Sequence, residues 1–254
     1  MNTIVFISGA TSGIGKACAH KFAGNGYNVI ITGRRKERLL DLKAALESEY
    51  SIQVLPLHFD VQNRQEVFHA IENLPEQWKQ ISILINNAGL ALGRDYFDEA
   101  AMDDWETMLN TNVHGLIYVT RAVLPVMIAN KKGHIINMGS TAGKEVYEKG
   151  NMYCASKHAV TALSESMRID LLRHRIKVTA IHPGAVDTEF SLVRFKDDQP
   201  KASAVYKGYT PLHAEDIADT IYHCASLPEH VCINDLVITC TSQANNFYFN
   251  KSDI

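Results

Sequence analysis

The chain has 254 residues, 46% hydrophobic and 21% charged, which is enough for one large core and ordinary for a soluble globular protein. A formal net charge of -3, with no basic run longer than two or three residues, speaks against nucleic acid or an anionic membrane as a partner. The five cysteines (Cys18, Cys154, Cys224, Cys232, Cys240) form no CxxC pair and read as reduced, packed thiols, and no histidine stands at metal-ligand spacing, so no metal is expected. No basic segment followed by an apolar run opens the chain, and no apolar stretch approaches about 18 residues, so a cytosolic protein without a membrane partner is expected.

Residues 3 to 8 form a β-branched apolar run that reads as a buried strand, and glycines begin directly after it. Gly9, Gly13 and Gly15 lie in Ser-Gly-Ala-Thr-Ser-Gly-Ile-Gly, which carries Thr11, Ser12 and Ile14 and leads into a helical pattern to about Asn25. Such a turn lets backbone N-H groups approach a pyrophosphate at a helix N-terminus, where the dipole favours negative charge. A second strand at 28 to 32 ends in Gly33-Arg34-Arg35. An acidic residue here would accept a ribose 2'-hydroxyl, whereas arginine suits a 2'-phosphate; no Asp or Glu occupies 32 to 35, which points to NADP. The other reading of the two arginines is a pair of solvated charges leading a helix.

A helix over 36 to 48 and a strand over 52 to 59 follow, closed by Asp60-Val61. Asp60 suits either an adenine amino group or the cap of the next helix, near 63 to 73. A fourth strand at 81 to 85 runs into Asn86-Asn87-Ala88-Gly89, where small and amide side chains suit close packing on a cofactor or a local turn. A long helix from about 103 to 129 carries Asn112 near its middle, an unfavourable place for asparagine that hints at a specific hydrogen bond.

Residues 134 to 140 read as a buried strand and a Gly break, and place Ser140 at a carboxyl strand end, where parallel sheets bind ligands. Thirteen residues on, Tyr153 and Lys157 lie one helical turn apart on a helix from about 151 to 173. A tyrosine hydroxyl with a pKa of about 10 shuttles protons poorly at neutral pH unless its phenolate is stabilised. The Lys157 ammonium, helped by a positively charged cofactor, is expected to supply that. A sixth strand at 176 to 182 enters Pro183-Gly184-Ala185-Val186-Asp187-Thr188, followed by a polar stretch without periodicity at about 189 to 212 that suits a substrate-covering loop. A helix at 214 to 226, a strand at 235 to 240 and an aromatic tail, Phe247-Tyr248-Phe249, complete the chain. Exposed aromatics in such a tail either pack back or dock on a neighbouring subunit. Regular alternation implies an α/β fold in one domain, 1 to 254: a doubly wound Rossmann arrangement of about seven parallel strands, order 3-2-1-4-5-6-7, with helices on both faces.

Taken together, Gly9-Ala-Thr-Ser-Gly13-Ile-Gly15, Asn86-Asn87-Ala88-Gly89, Asn112, Ser140, Tyr153 to Lys157 and Pro183-Gly184-x-Val186-x-Thr188 resemble the short-chain dehydrogenase/reductase family over essentially the whole chain. The resemblance implies that Tyr153 is the general acid/base and that Ser140 holds the substrate oxygen. It implies further that Lys157 binds the nicotinamide ribose and depresses the tyrosine pKa, and that Asn112 holds a relay water. Thr188 would contact the nicotinamide carboxamide, while Asn87 and Ala88 would line the adenosine ribose side. Ser8 stands where the family usually has threonine and keeps the hydroxyl, so little loss is expected.

Residues 32 to 39, 86 to 93, 104 to 108 and 188 to 195 are further similar to the NADP-dependent 3-hydroxy acid dehydrogenases. That branch acts on serine, allo-threonine, 3-hydroxyisobutyrate and 3-hydroxypropionate, reduces malonic semialdehyde, and typically forms homotetramers through the helices equivalent to 103 to 129 and 151 to 173. A substrate carboxylate needs a cation or several donors. Arg194 is the first candidate, with Lys144 and Tyr147 as others. The alternatives are a carbonyl or sugar reductase with the same core, and a catalytically idle NADP-binding sensor.

Overall fold

The computed structural model describes residues 3–251. Strands β1 (Ile4–Ile7), β2 (Asn28–Gly33), β3 (Val54–His58), β4 (Ile81–Asn86), β5 (His134–Met138) and β6 (Lys177–Pro183) alternate with helices α1 (Gly13–Ala23), α2 (Lys36–Glu49), α3 (Arg64–Glu72), α4 (Met102–Leu109), α5 (Leu116–Ala129) and α6 (Asn151–Asp170). After β6 come a two-residue strand β7 (Val186–Asp187), short helices α7 (Phe190–Arg194) and α8 (Gln199–Ala204), a second two-residue strand β8 (Leu212–His213), helix α9 (Ala214–Ser226) and the edge strand β9 (Asp235–Ile238). The main sheet is parallel throughout, in the order β3-β2-β1-β4-β5-β6-β9. This is the expected order, the seventh strand of the sheet being the ninth in the chain. Residues 189 to 212, expected to be irregular, instead hold α7 and α8, and β7 pairs in parallel with β8 to close the segment at its base.

Period-two alternation divides the sheet's side chains between two layers. Val5, Ile7, Val29 and Ile31 pack on one face with Cys18 and Phe22 of α1, Leu39 and Leu46 of α2, and Ile217 and Ile221 of α9. Phe6, Ile30 and Leu84 face Val67 and Ile71 of α3 and Val119, Val123 and Met127 of α5. A third, smaller cluster joins Leu90, Trp105 and Met108 to Tyr153 and Cys154 beside the site.

Residues 102–129 form one continuous 28-residue helix whose most apolar window has a mean hydropathy of 1.3, long and apolar enough by composition to cross a membrane. The expectation that no stretch approaches this is overturned for that helix. Its apolarity is accounted for by packing, since Leu116, Val119, Val123 and Met127 lie against the sheet. Between α4 and α5 the helix widens into a π-turn at Asn110–Gly115. A Cβ on Gly115 would come within 2.8 Å of Val61 Cγ2, so glycine lets this turn sit close to the end of β3.

Buried amides bind the layers. Asn86 Nδ2 donates to Thr120 Oγ1 (2.8 Å) and Asn137 Oδ1 (2.9 Å), and Asn137 Nδ2 donates to Ser164 Oγ (2.9 Å). This chain ties β4 and β5 to α5 and to α6, the helix that carries Tyr153.

Candidate active site

The sheet's carboxyl edge opens into a cleft of about 1080 Å³. At its first wall, Ser8 Oγ accepts from the backbone N-H groups of Asn87 and Ala88, both at 3.1 Å, so the hydroxyl that replaces the family's threonine makes the junction. Asn87 Nδ2 donates to the carbonyls of Ser8 and Gly9, both at 3.0 Å, pinning the Gly turn to the end of β4. Gly9 has φ +66°, and its Cβ would come within 2.8 Å of Ala88 Cα, so no larger residue fits. Gly13 is also left-handed, at φ +49°. Gly9, Thr11, Ser12, Gly13 and Ile14 line the cleft, whereas Gly15 lies behind them, where a Cβ would overlap the Gly9 carbonyl oxygen. The first turn of α1 carries no acidic residue and Ser12 makes no side-chain cap, so the helix N-terminus faces the cleft as an anion site.

The arginines after β2 take different places. Arg34 is largely exposed, with Nη1 3.7 Å from Asp60 Oδ2. Arg35 turns inward: Nε and Nη2 donate to Thr11 Oγ1 (3.0 and 2.7 Å), Nη2 donates to Ser12 Oγ (2.8 Å), and Nη1 meets Glu189 Oε2 at 3.0 Å. Arg38, one turn into α2, reaches the same carboxylate at 2.8 Å. Sequence reasoning missed Arg38 and Glu189; Arg38 was detectable as the residue three after Arg35 on a helix, but Glu189 is brought there only by the return of the chain. Asp60 does not cap α3. That role belongs to Asn63, whose side chain accepts from the N-H groups of Gln65 and Glu66, while Asp60 Oδ1 accepts from Gln62 N. Asp60 and Val61 line the cleft with Asn87, Ala88 and Gly89.

Ser140, Tyr153 and Lys157 converge at the other end, 9%, 8% and 6% exposed. Ser140 Oγ accepts from Ala142 N (3.0 Å), which leaves its own hydrogen to donate. Burial pushes the Tyr153 hydroxyl well above the usual phenol range; Tyr147 adds to this, and Ser140 and Arg194 only partly offset it. The expected depression by Lys157 is absent, because the Lys157 ammonium donates to the Met138 carbonyl (2.8 Å) and lies 6.0 Å from the Tyr153 ring centre. Burial pushes Lys157 itself down to about 8. Asn112 makes the specific bonds its position suggested: Oδ1 accepts from Leu90 N (2.8 Å), and Nδ2 donates to Leu90 O (2.8 Å) and Ser156 Oγ (3.0 Å). Its amide is thereby committed to bracing the wall behind the site.

Across from Tyr153 stands Arg194, on α7. Its Nη2 donates to the Tyr147 hydroxyl (3.1 Å), and its main chain and Nε both engage Gly93. Arg94, absent from the sequence reading, places its guanidinium 5.9 Å from the Tyr147 ring centre, while Arg194 stands 5.7 Å from it. Lys144 is not part of this group, because its ammonium is paired with Asp235 at 2.9 Å. Pro183, Gly184, Val186 and Thr188 line the cleft floor, and Gln243, from the segment after β9, accepts from Ala185 N at 2.8 Å.

A parallel sheet in this order, an open helix N-terminus after β1 and a Ser-Tyr-Lys group at the carboxyl edge define a nucleotide-dependent oxidoreductase of the doubly wound class. The chain matches the short chain dehydrogenase family model over residues 3–199 and belongs to that family. It is 47% identical over 242 residues to the NADP-dependent 3-hydroxy acid dehydrogenase YdfG of Salmonella typhi, covering 95% of this chain and 96% of that protein. It is 44% identical over 245 residues to a sulfoacetaldehyde reductase of Chromohalobacter salexigens, covering 96% of each. Among solved structures it resembles the closed form of serine dehydrogenase complexed with NADP+, with a TM-score of 0.91, 43% identity and coverage of 99% and 100% of the two chains.

Proposed function

We propose that this chain is an NADP-dependent dehydrogenase that interconverts a short 3-hydroxy acid and its 3-oxo form, with serine, allo-threonine, 3-hydroxyisobutyrate and 3-hydroxypropionate or malonic semialdehyde as the substrate class. The observation that carries this reading is Arg194, a cation fixed within reach of both Tyr147 and Tyr153, where a carboxylate two carbons from the reacting oxygen would lie. The names of the hydroxy acid and serine dehydrogenase relatives agree with it.

The residues fit the cofactor. The Gly turn and the α1 N-terminus suit its pyrophosphate, Arg34 and Arg35 the 2'-phosphate, and Lys157 with Thr188 the nicotinamide end. When bound, NADPH supplies the hydride that reaches the carbonyl carbon. Ser140 donates a hydrogen bond to the carbonyl oxygen, and Tyr153, which burial keeps protonated at neutral pH, gives that oxygen its proton. Lys157, close to half-charged near pH 8, balances the phenolate left behind. Arg194 orients the substrate by its carboxylate.

A second anion is favoured by one observation, the two guanidiniums of Arg94 and Arg194 beside a single tyrosine, Tyr147. A sulfonate offers three acceptor oxygens to such a pair, as the sulfoacetaldehyde reductase relative would require. Absorbance of reduced nicotinamide, followed with the 3-hydroxy acids, malonic semialdehyde and sulfoacetaldehyde, each with both cofactors, tests both readings. Turnover of a carboxylate substrate with NADP supports the first; turnover of sulfoacetaldehyde alone replaces it with the second; silence with NADPH still bound leaves an NADP-binding protein with another role. The same reading carries assembly as a homotetramer, for which the exposed Ile169 and Leu172 at the end of α6 are the supporting apolar surface, and sedimentation measures it.

A further inference from the structure

His182 is fully buried at the end of β6, beside the catalytic strand end, and has no part in the reaction described above. In the sheet register it stands next to Gly139, whose N-H donates to Ile181 O at 2.7 Å. A Cβ on Gly139 would overlap the His182 ring, so a glycine there lets the imidazole reach under Ser140. Its Nδ1 lies 3.2 Å from the Ser140 carbonyl oxygen, and its Nε2 lies 3.0 Å from Asp235 Oδ2.

Both partners can only accept. A carbonyl has no proton to give, and although burial pushes the Asp235 carboxyl upward, Lys144 and His182 hold it below its usual range and therefore ionised. A neutral imidazole carries one N-H and can serve only one of the two; an imidazolium serves both. We propose that His182 is a positioning residue for Ser140: Nδ1-H holds the Ser140 main chain, and only the doubly protonated ring makes that bond and the bond to Asp235 together. This rests on the reading that Ser140 holds the reacting oxygen.

The charged groups bearing on the ring are the Asp235 carboxylate at the start of β9 and the Lys144 ammonium from the turn after β5. Lys157 of α6 is engaged by the Met138 carbonyl instead. Burial holds His182 below the usual imidazole range, Lys144 acts with burial, and Asp235 and the Ser140 carbonyl oppose them. Above the His182 pKa, the single proton stays on Nε2 against the carboxylate, and the Nδ1 lone pair faces the Ser140 carbonyl. As pH falls through that value, the second proton restores the tether, so kcat for carbonyl reduction gains a limb that rises toward acid.

The test is the pH profile of kcat for reduction in wild type, His182→Asn, His182→Gln and Asp235→Asn, with NADPH binding and thermal unfolding as folding controls. The shorter amide of His182→Asn takes the place of Nδ1, so kcat stays within about threefold and the acid limb disappears. The amide of His182→Gln reaches the Nε2 position instead, leaves Ser140 untethered and lowers kcat about tenfold with KM for NADPH unchanged. In Asp235→Asn a neutral ring accepts from the new amide and donates to Ser140, so the limb disappears while kcat is kept. Because Asp235 is partly exposed, that variant decides the matter where a His182 variant fails to fold. Equal loss in the Asn and Gln variants, or an acid limb that persists in Asp235→Asn, overturns the proposal. Ser140→Ala separates the two levels: little loss there sinks the assignment of Ser140, whereas collapse there with His182 variants indifferent sinks only the tether.

Discussion

Arg194 Nη2 stands 3.1 Å from the Tyr147 hydroxyl while its guanidinium carbon lies 5.5 Å from the Tyr153 ring centre, so one loop cation addresses both tyrosines of the cleft. The loop is held for this purpose by its own backbone, Gly93 N donating to Arg194 O at 2.9 Å. A charge-assisted pair with a substrate carboxylate in such a site is worth roughly 3 kcal/mol. Arg194→Ala is therefore expected to lower kcat/KM for a 3-hydroxy acid about 100-fold, mostly through KM, while leaving NADPH binding unchanged. Steady-state kinetics with an uncharged alcohol of similar size provides the control, since its rate should barely move.

Tyr153→Phe removes the only proton the site offers to the carbonyl oxygen. A loss of kcat of at least about a thousandfold is expected, with NADPH still bound by fluorescence titration. Retention of the wild-type rate would remove Tyr153 from the mechanism.

Lys157 is stored at a cost. Its folded pKa of about 8 lies below the unfolded value near 10.4, so the folded state binds its proton more weakly, and the protein is destabilised by about 3 kcal/mol below pH 8. That penalty is relieved as pH rises from about 8 toward 10.4. Lys157→Met is expected to raise the Tm of the cofactor-free protein at pH 7 while abolishing turnover, and the gain should shrink at pH 10. Calorimetry at the two pH values checks the sign.

His134 adds an acid-labile element. Only 3% exposed, with Nε2 2.7 Å from Thr179 Oγ1, its ring is held down to about 3 by burial, with Lys177 contributing. Between the unfolded value near 6.5 and that value, the unfolded chain binds the extra proton, so stability falls as pH drops, by about 2 kcal/mol at pH 5. Replacement by a residue that does not titrate, His134→Gln, should flatten denaturant midpoints measured from pH 7 to pH 5. An unchanged slope would mean that the wild-type ring charges in place.

Arg35 is bound to Thr11 and Ser12 of the Gly turn and to Glu189 of the substrate segment. Arg35→Ala is expected to raise KM for NADP about 30-fold and leave that for NAD within about threefold, because only the 2'-phosphate contact is lost. Glu189→Gln should move KM for NADP by no more than about threefold, since its ion pairs with Arg35 and Arg38 are partly exposed and worth at most about 1 kcal/mol.

Much of this was readable along the chain because it depends on local chemistry and short spacing. Period-two apolar strands, the Gly turn at residues 9 to 15 and the one-turn spacing of Tyr153 and Lys157 follow from backbone sterics and helix geometry alone, and α9 matches its expected bounds of 214 to 226. Asn112 announced a specific bond because a mid-helix asparagine is otherwise unfavourable. What only the tertiary structure decided is the environment of these groups. Burial, not the neighbouring lysine, sets the Tyr153 hydroxyl in this structure, and Lys144 is drawn out of the substrate group by Asp235, a residue 91 positions away. Glu189, His182 and Gln243 acquire their partners only when strands far apart in sequence are laid side by side. Desolvation and ion pairing depend on what surrounds a charge in space, and neither is encoded in the few residues on either side of it.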